Sequence, residues 1–156
     1  MIKKTVWLTA WIFGFQFVAY VIHQFFHLHL SPWYQNIAKS PLHPPEIIFP
    51  IVWSTLYVMI TIAGWLLWQE RRKNTAKTAL KYYAIQIAMT WAWAPIIFAF
   101  HWTGVGFFWT LGIFVATFMT IITAAEQFEF ATALLGPSLL WLLYVAYLCG
   151  YLWLQN

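Results

Sequence analysis

The sequence predicts an all-α polytopic membrane protein, a bundle of five transmembrane helices making one domain over residues 1–156. Three observations carry this. The 156 residues are 63% hydrophobic and 22% aromatic but only 8% charged, where a soluble domain carries about a quarter charged residues. A larger core cannot absorb that surplus, because a small domain leaves much of its surface in solvent, so the solvent here is lipid. Second, the chain divides into apolar stretches that each approach the ~20 residues needed to cross a hydrocarbon core. Third, no Asp, Glu, Lys or Arg lies deep inside any of them. That absence also sets aside ion pumps and proton relays, which need such groups in the membrane.

Lys3 and Lys4 precede the first span, residues 5–30. This run is too long for a secretory leader, and no small-x-small cleavage site follows it. Residues 31–46 form a loop in which Pro32, Pro41, Pro44 and Pro45 remove donors and restrict their predecessors, so it cannot be helical throughout. Carrying Trp33, Tyr34, Lys39 and His43, it is a stiff aromatic lid for the mouth of a bundle. The second span covers 47–68, and residues 69–81 (QERRKNTAKTALK) are a charged linker. The third span covers 82–100, with a tight turn at 101–104. The fourth covers 105–125, and a short acidic connection at 126–130 leads to the fifth, 131–153, which Pro137 bends in its first turns.

Five spans put the termini on opposite sides. Lys3, Lys4, Arg71, Arg72, Lys73, Lys77 and Lys81 then share one side against Lys39 on the other. The positive-inside rule makes the first group cytoplasmic and turns the aromatic loop outward, as expected in a bacterial cell membrane. The net charge of +4 therefore reports topology and not a nucleic-acid partner.

Chemistry-bearing residues are sparse. Cys149 is the single cysteine, in an apolar run; it excludes an internal disulfide and a thiolate cluster and is expected to be buried. Ser138 has no histidine or acid near it in the chain, which argues against a nucleophilic triad. The five histidines, His23, His27, His29, His43 and His101, all fall on the outer side. His23 and His27 share a helical face and serve either interfacial hydrogen bonding or ligation of haem iron or a metal. With no acidic or thiolate co-ligand nearby, no metal centre and no resident cofactor are expected. Trp7, Trp11, Trp68, Trp102 and Trp153 sit near span ends, at headgroup level. Trp53, Trp91, Trp93 and Trp141 lie deeper and either pack helices or line a cavity for a flat apolar ligand, their indole donors orienting its polar edge. Ala84, Ala88 and Ala92 form a smooth stripe that serves either packing within the bundle or self-association.

The order Trp33-Tyr34-x-x-Ile37-x-Lys39, His43-Pro44-Pro45 and Val52-Trp53-x-x-Leu56-Tyr57 resembles the tryptophan-rich sensory protein / translocator protein family. So do Gln86-x-x-x-x-Trp91-x-Trp93-x-Pro95-x-x-Phe98 and Pro137-x-x-x-Trp141, and together these matches span about the whole chain. The resemblance implies a five-helix bundle whose outer half holds a pocket under the first loop. It also implies homodimers, here through Ala84, Ala88 and Ala92, and binding of porphyrins or other tetrapyrroles, of sterols in some members, and of benzodiazepine-site ligands. Pocket residues carry over onto Trp53, Trp91, Trp93 and Trp141, with His43, Pro44 and Pro45 in the loop. The full candidate ligand-binding set adds Trp33, Tyr34, Phe49, Tyr57, Thr90 and Tyr144. The function implied is a membrane receptor or carrier with a sensory or regulatory role. The alternative is an enzyme that degrades porphyrin under light and oxygen, with Trp53 and Trp141 as its redox-active rings.

Departures from the family pattern are also legible. Thr90 stands where the family usually has Asn, the expected proline two before Trp53 appears at Pro50, and Trp109 replaces an acid. Of the sterol motif at the end of the last helix only Leu148 remains, with Gly150 and Leu154 in the other places.

Overall fold

A computed structural model describes residues 2–27 and 31–156, without the side chains of residues 2–5, 23, 26, 27, 31 and 32. The side chains of His23 and His27, and all of His29, lie outside the described residues. The described chain is all helical, with no strand. Its elements are α1 (Ile2–His27), α2 (Ser31–Asn36), α3 (Ile48–Gln69), α4 (Asn74–Ala94) continued by a π-helical turn (Pro95–Ala99), α5 (Thr103–Ala124) and α6 (Glu129–Gln155). Three of these, α3, α5 and α6, are long and apolar enough to cross a membrane.

The helices do not stop where the apolar stretches stop. The connection after α3 is four residues long, and α4 starts at Asn74, so Lys77 and Lys81 are helical rather than part of a linker. The reason is that charge marks where a helix leaves the apolar medium, while its hydrogen-bond ladder continues through good helix formers such as Lys, Ala and Leu. The connection is tied locally: Arg71 Nη1 donates to the Trp68 carbonyl at 3.0 Å, and its guanidinium lies 4.8 Å from the Trp68 ring. Lys73 pairs with Glu70 at 3.0 Å. The acidic connection likewise shortens, because Glu129 begins α6 in the first turn, where the helix dipole favours a carboxylate.

The long helices pack in the ring order α1, α3, α6, α5, α4, with α4 returning against α1. The closest packing is that of α5 on α4 and on α6. Its inner stripe explains this: Gly106, Thr110, Ile113, Thr117, Thr120 and Ala124 are all small or slim and all buried. The threonines bring hydroxyls into an apolar interior, and each satisfies itself on the preceding turn. Thr110, Thr117 and Thr120 donate to the carbonyls of Gly106, Ile113 and Ala116 at 2.8–2.9 Å.

The half of the bundle near the charged connection is solid, built on Leu56, Ile60, Ala63, Leu67, Tyr83, Ile87 and Leu135. Here Gly64 lets the Tyr83 ring lie against the α3 backbone, where its hydroxyl donates to the Ile60 carbonyl at 3.1 Å. In the opposite half the buried core shrinks to Ile97, Val145 and Cys149 with rings packed on them, and a cavity opens. Large apolar side chains instead cover the outside, Phe13, Phe17 and Leu140 among them at 66–73% exposure. Water would penalise such a surface; lipid does not.

Candidate functional site

The lid comes first. Residues 37–47 are turn and irregular backbone, and α2 precedes them. Trp33 on α2 stacks on His101, ring centres 4.1 Å apart and planes within 17°. His101 takes the left-handed conformation (φ 57°) in the turn before α5, which is unusual for a residue with a Cβ. Tyr34 meets Phe98 edge-on and its hydroxyl hydrogen-bonds His43 Nε2 at 2.5 Å, while the Lys39 ammonium lies 4.3 Å from the Tyr34 ring centre. Burial, with Glu46 adding, pushes the Tyr34 hydroxyl up to about 12, so it stays protonated. Burial first, and the Lys39 ammonium second, hold His43 below its ordinary value, which favours the neutral ring.

Three ties fasten this loop to α6. Tyr144 donates to the Leu42 carbonyl at 2.6 Å, Tyr147 and Ser40 share a hydrogen bond of 2.8 Å, and the Asn156 amide pairs with both backbone groups of Ala38 at 2.9 and 3.2 Å.

Below the lid lies a cavity of about 890 Å³, inside the range of roughly 300–1,000 Å³ usual for small-molecule sites. Phe49, Pro50, Trp53 and Tyr57 supply the α3 wall. Thr90, Trp93 and Ala94 supply α4, and Ile97 and Phe98 the π-helical turn. Val145, Leu148, Cys149 and Leu152 come from α6, and Gln16, Ala19, Tyr20 and Ile22 from α1. No lining residue comes from α5. The rings form one connected set: Trp53 lies 6.4 Å from Trp93 and 5.7 Å from Tyr57, and Trp93 meets Phe98 edge-on at 5.7 Å. The π-helical turn helps to make this wall. Pro95 lacks the N–H that would continue the α-ladder, and the next bonds widen, Phe100 N to the Pro95 carbonyl at 3.1 Å.

Of the residues singled out by sequence, Tyr34, His43, Phe49, Trp53, Tyr57, Thr90 and Trp93 line this cavity. Trp33, Pro44, Pro45, Trp91, Trp141 and Tyr144 do not. Trp141 stands behind the wall, edge-on to Trp53 and Phe49, and Tyr144 holds the lid. Trp91 packs instead on Phe15 of α1 at 5.4 Å. The indole donors differ from expectation too: Trp93 Nε1 is engaged by Thr110 Oγ1 at 2.9 Å, and Nε1 of Trp91 and of Trp141 is buried without a partner. Thr90 turns its hydroxyl back to the Gln86 carbonyl at 2.8 Å. Sequence reasoning missed the α1 contribution and the acid Glu46 at the rim. The signal available for α1 was Gln16, the one amide side chain between Ala10 and Ile22. Among the described residues, no cluster of His, Cys, Asp or Glu could hold a metal ion.

An all-helical bundle sheathed in apolar side chains, with an aromatic chamber under a pinned loop, defines an integral membrane protein with an internal cavity. The family-wide profile of the TspO/MBR family matches residues 7–154, and the chain belongs to that family. It is 34% identical to the translocator protein of Ovis aries over 129 residues, 80% of this chain and 75% of that protein. It is 31% identical to the human translocator protein, covering 88% of this chain and 82% of that protein. To the tryptophan-rich sensory protein of Cereibacter sphaeroides it is 29% identical, covering 70% and 67%.

Proposed function

We propose that this protein is a membrane receptor or carrier that holds flat, apolar tetrapyrrole ligands, porphyrins foremost, in the chamber beneath the lid. The observation that carries the reading is the wall itself: Phe49, Trp53, Tyr57, Trp93 and Phe98 converge on one cavity of about 890 Å³. Offset and edge-on aromatic contacts hold a planar molecule without a formal charge, each pair adding about 0.5–1.5 kcal/mol beyond area burial. The neutral Tyr34–His43 pair and the Lys39–Glu46 pair at 3.9 Å give the rim polar groups for the ligand's edge. The chain crosses the membrane five times, α1 and α4 completing the set with α3, α5 and α6, and its basic connection faces the cytoplasm of a bacterial cell. Two copies associate through α4, where Ala84 and Ala88 are exposed. No sterol site is proposed, since the terminal motif keeps only Leu148.

Titrating the purified protein with protoporphyrin in the dark, then illuminating the saturated complex in air, tests the reading. Saturable quenching of tryptophan fluorescence with an unchanged porphyrin spectrum after illumination supports a receptor or carrier. Loss of the porphyrin band turns the reading to photodegradation, and absence of saturable quenching removes it.

A further inference from the structure

The chamber has a mouth, and its position follows from which lining residues are exposed. On α6, on α4 and in the π-helical turn every lining residue is buried or half-buried. The exposed ones are Tyr20 on α1, Ile47 and Ser54 at the α3 end, and Gln35 and Glu46 in the lid segment. All five border the seam between α1 and α3. The described ties of the lid run elsewhere, to α6 and its last residue through Tyr144, Tyr147 and Asn156, and to His101 and the π-helical turn through Trp33 and Tyr34.

The packing of α1 explains the gap. Its first half is fastened by rings, Trp11 against Trp65 and Trp68 at 6.1 and 6.0 Å and Phe15 against Trp91. Above these rings Gln16 Nε2 donates to the Ser54 carbonyl at 2.9 Å. Beyond it Ala19, Tyr20 and Ile22 of α1 line the cavity. From Gln16 to Ile22, or from Ile47 to Ser54, the helices rise about 10 Å, which is the height of the opening. Among the described lining residues, Tyr20 and Ile47 stand along its sides, Gln16 and Ser54 at one end and Gln35 and Glu46 at the other.

We infer that the chamber is loaded sideways, through a portal between α1 and α3 that opens to the bilayer, and that the lid stays fastened while this happens. The portal admits flat, lipid-dissolved molecules edge-first, with their polar groups at the Gln35–Glu46 end. The tetrapyrrole identity of the cargo rests on the reading above; the portal does not.

Cys149, the single thiol, is buried on the inner wall and reports access without engineering. In proteoliposomes, a lipid-soluble uncharged maleimide is expected to modify it at least tenfold faster than a membrane-impermeant sulfonated one. Tyr20→Trp and Ile47→Trp, at two exposed positions on opposite sides of the seam, should each slow the uncharged reagent fivefold or more. Cutting lid ties with Tyr147→Phe/Asn156→Ala should change the rate by less than twofold. The portal is overturned if neither reagent labels Cys149, if both label it equally, or if the lid variant accelerates labelling while the seam variants leave it alone. The association rate of protoporphyrin should fall in the same two seam variants. Seam-dependent labelling in a protein that fails to bind protoporphyrin would remove the tetrapyrrole and leave the portal standing.

Discussion

The ring of Trp141 meets that of Trp53 edge-on, centres 6.5 Å apart and planes at 87°, yet only Trp53 faces the chamber. The two therefore answer differently to the same substitution. Trp53→Phe removes ligand-facing surface and should weaken porphyrin binding by about 1 kcal/mol, roughly fivefold in Kd. Trp141→Phe loses no hydrogen bond, because its Nε1 has no partner, and should change Kd less than twofold while lowering thermal stability. Fluorescence titration and thermal unfolding of both variants check this. A larger Kd effect at Trp141 than at Trp53 would contradict the placement of the wall.

His43 makes the lid sensitive to acid. Its native value is depressed, by burial first and by Lys39 second, from an ordinary 6.5. The closed lid therefore favours the neutral ring. That contribution is complete above 6.5 and declines as pH falls below it, until the native imidazole itself takes the proton. An NMR titration of His43 should give a midpoint below 6.5, and Lys39→Met should raise it part of the way. A midpoint at or above 6.5 in the native protein would reverse the sign.

Gly64 of α3 lies directly against Tyr83 of α4. A Cβ there would collide with the Tyr83 ring, which is 4% exposed and hydrogen-bonded, and so cannot swing away. Gly64→Ala should cost about 1–3 kcal/mol by overpacking. Gly136→Ala, where nothing lies within 4 Å, should be neutral or gain up to about 1 kcal/mol from helix propensity. Paired unfolding curves in one detergent compare them, and equal midpoints would show that α3 and α4 are further apart than described.

The exposed alanines of α4 give a test of association. Ala88→Leu adds a branched group to an outward face, and should reduce the dimer fraction in lipid without changing the monomer's unfolding. An unchanged dimer fraction would move the interface elsewhere.

The basic residues give a test of orientation. Single cysteines at Thr75 and at Gln35, in a Cys149→Ala background, should label from inside and from outside respectively. Labelling of position 75 by an impermeant reagent on intact cells would invert the topology.

The aromatic lid was legible in the sequence because prolines and rings leave local signatures, and Tyr34 and His43 fall at the site those signatures indicated. The wall was legible only in part. Trp91 and Trp93 are two residues apart, which on a helix is about 200° of rotation, so both rings cannot face one chamber. Lys77 and Lys81 hid the start of α4, because apolarity and helicity end at different residues. The share of α1 was hidden for the opposite reason. A span that is apolar all round carries no periodic mark of which face turns inward, and Gln16 and Tyr20 gain meaning only from where α3 leaves them uncovered.

Tyr144 and Tyr147 in the last turns of α6 and Asn156 capping its end all hold the loop that roofs the chamber. A single rigid rod thus carries the latch at one face and buried chamber wall, Val145, Cys149 and Leu152, at another. A molecule held in the chamber would press on the rod that carries the latch, and linkage makes any such coupling reciprocal: what the molecule does to the latch, a force on the rod does to the molecule, by the same factor.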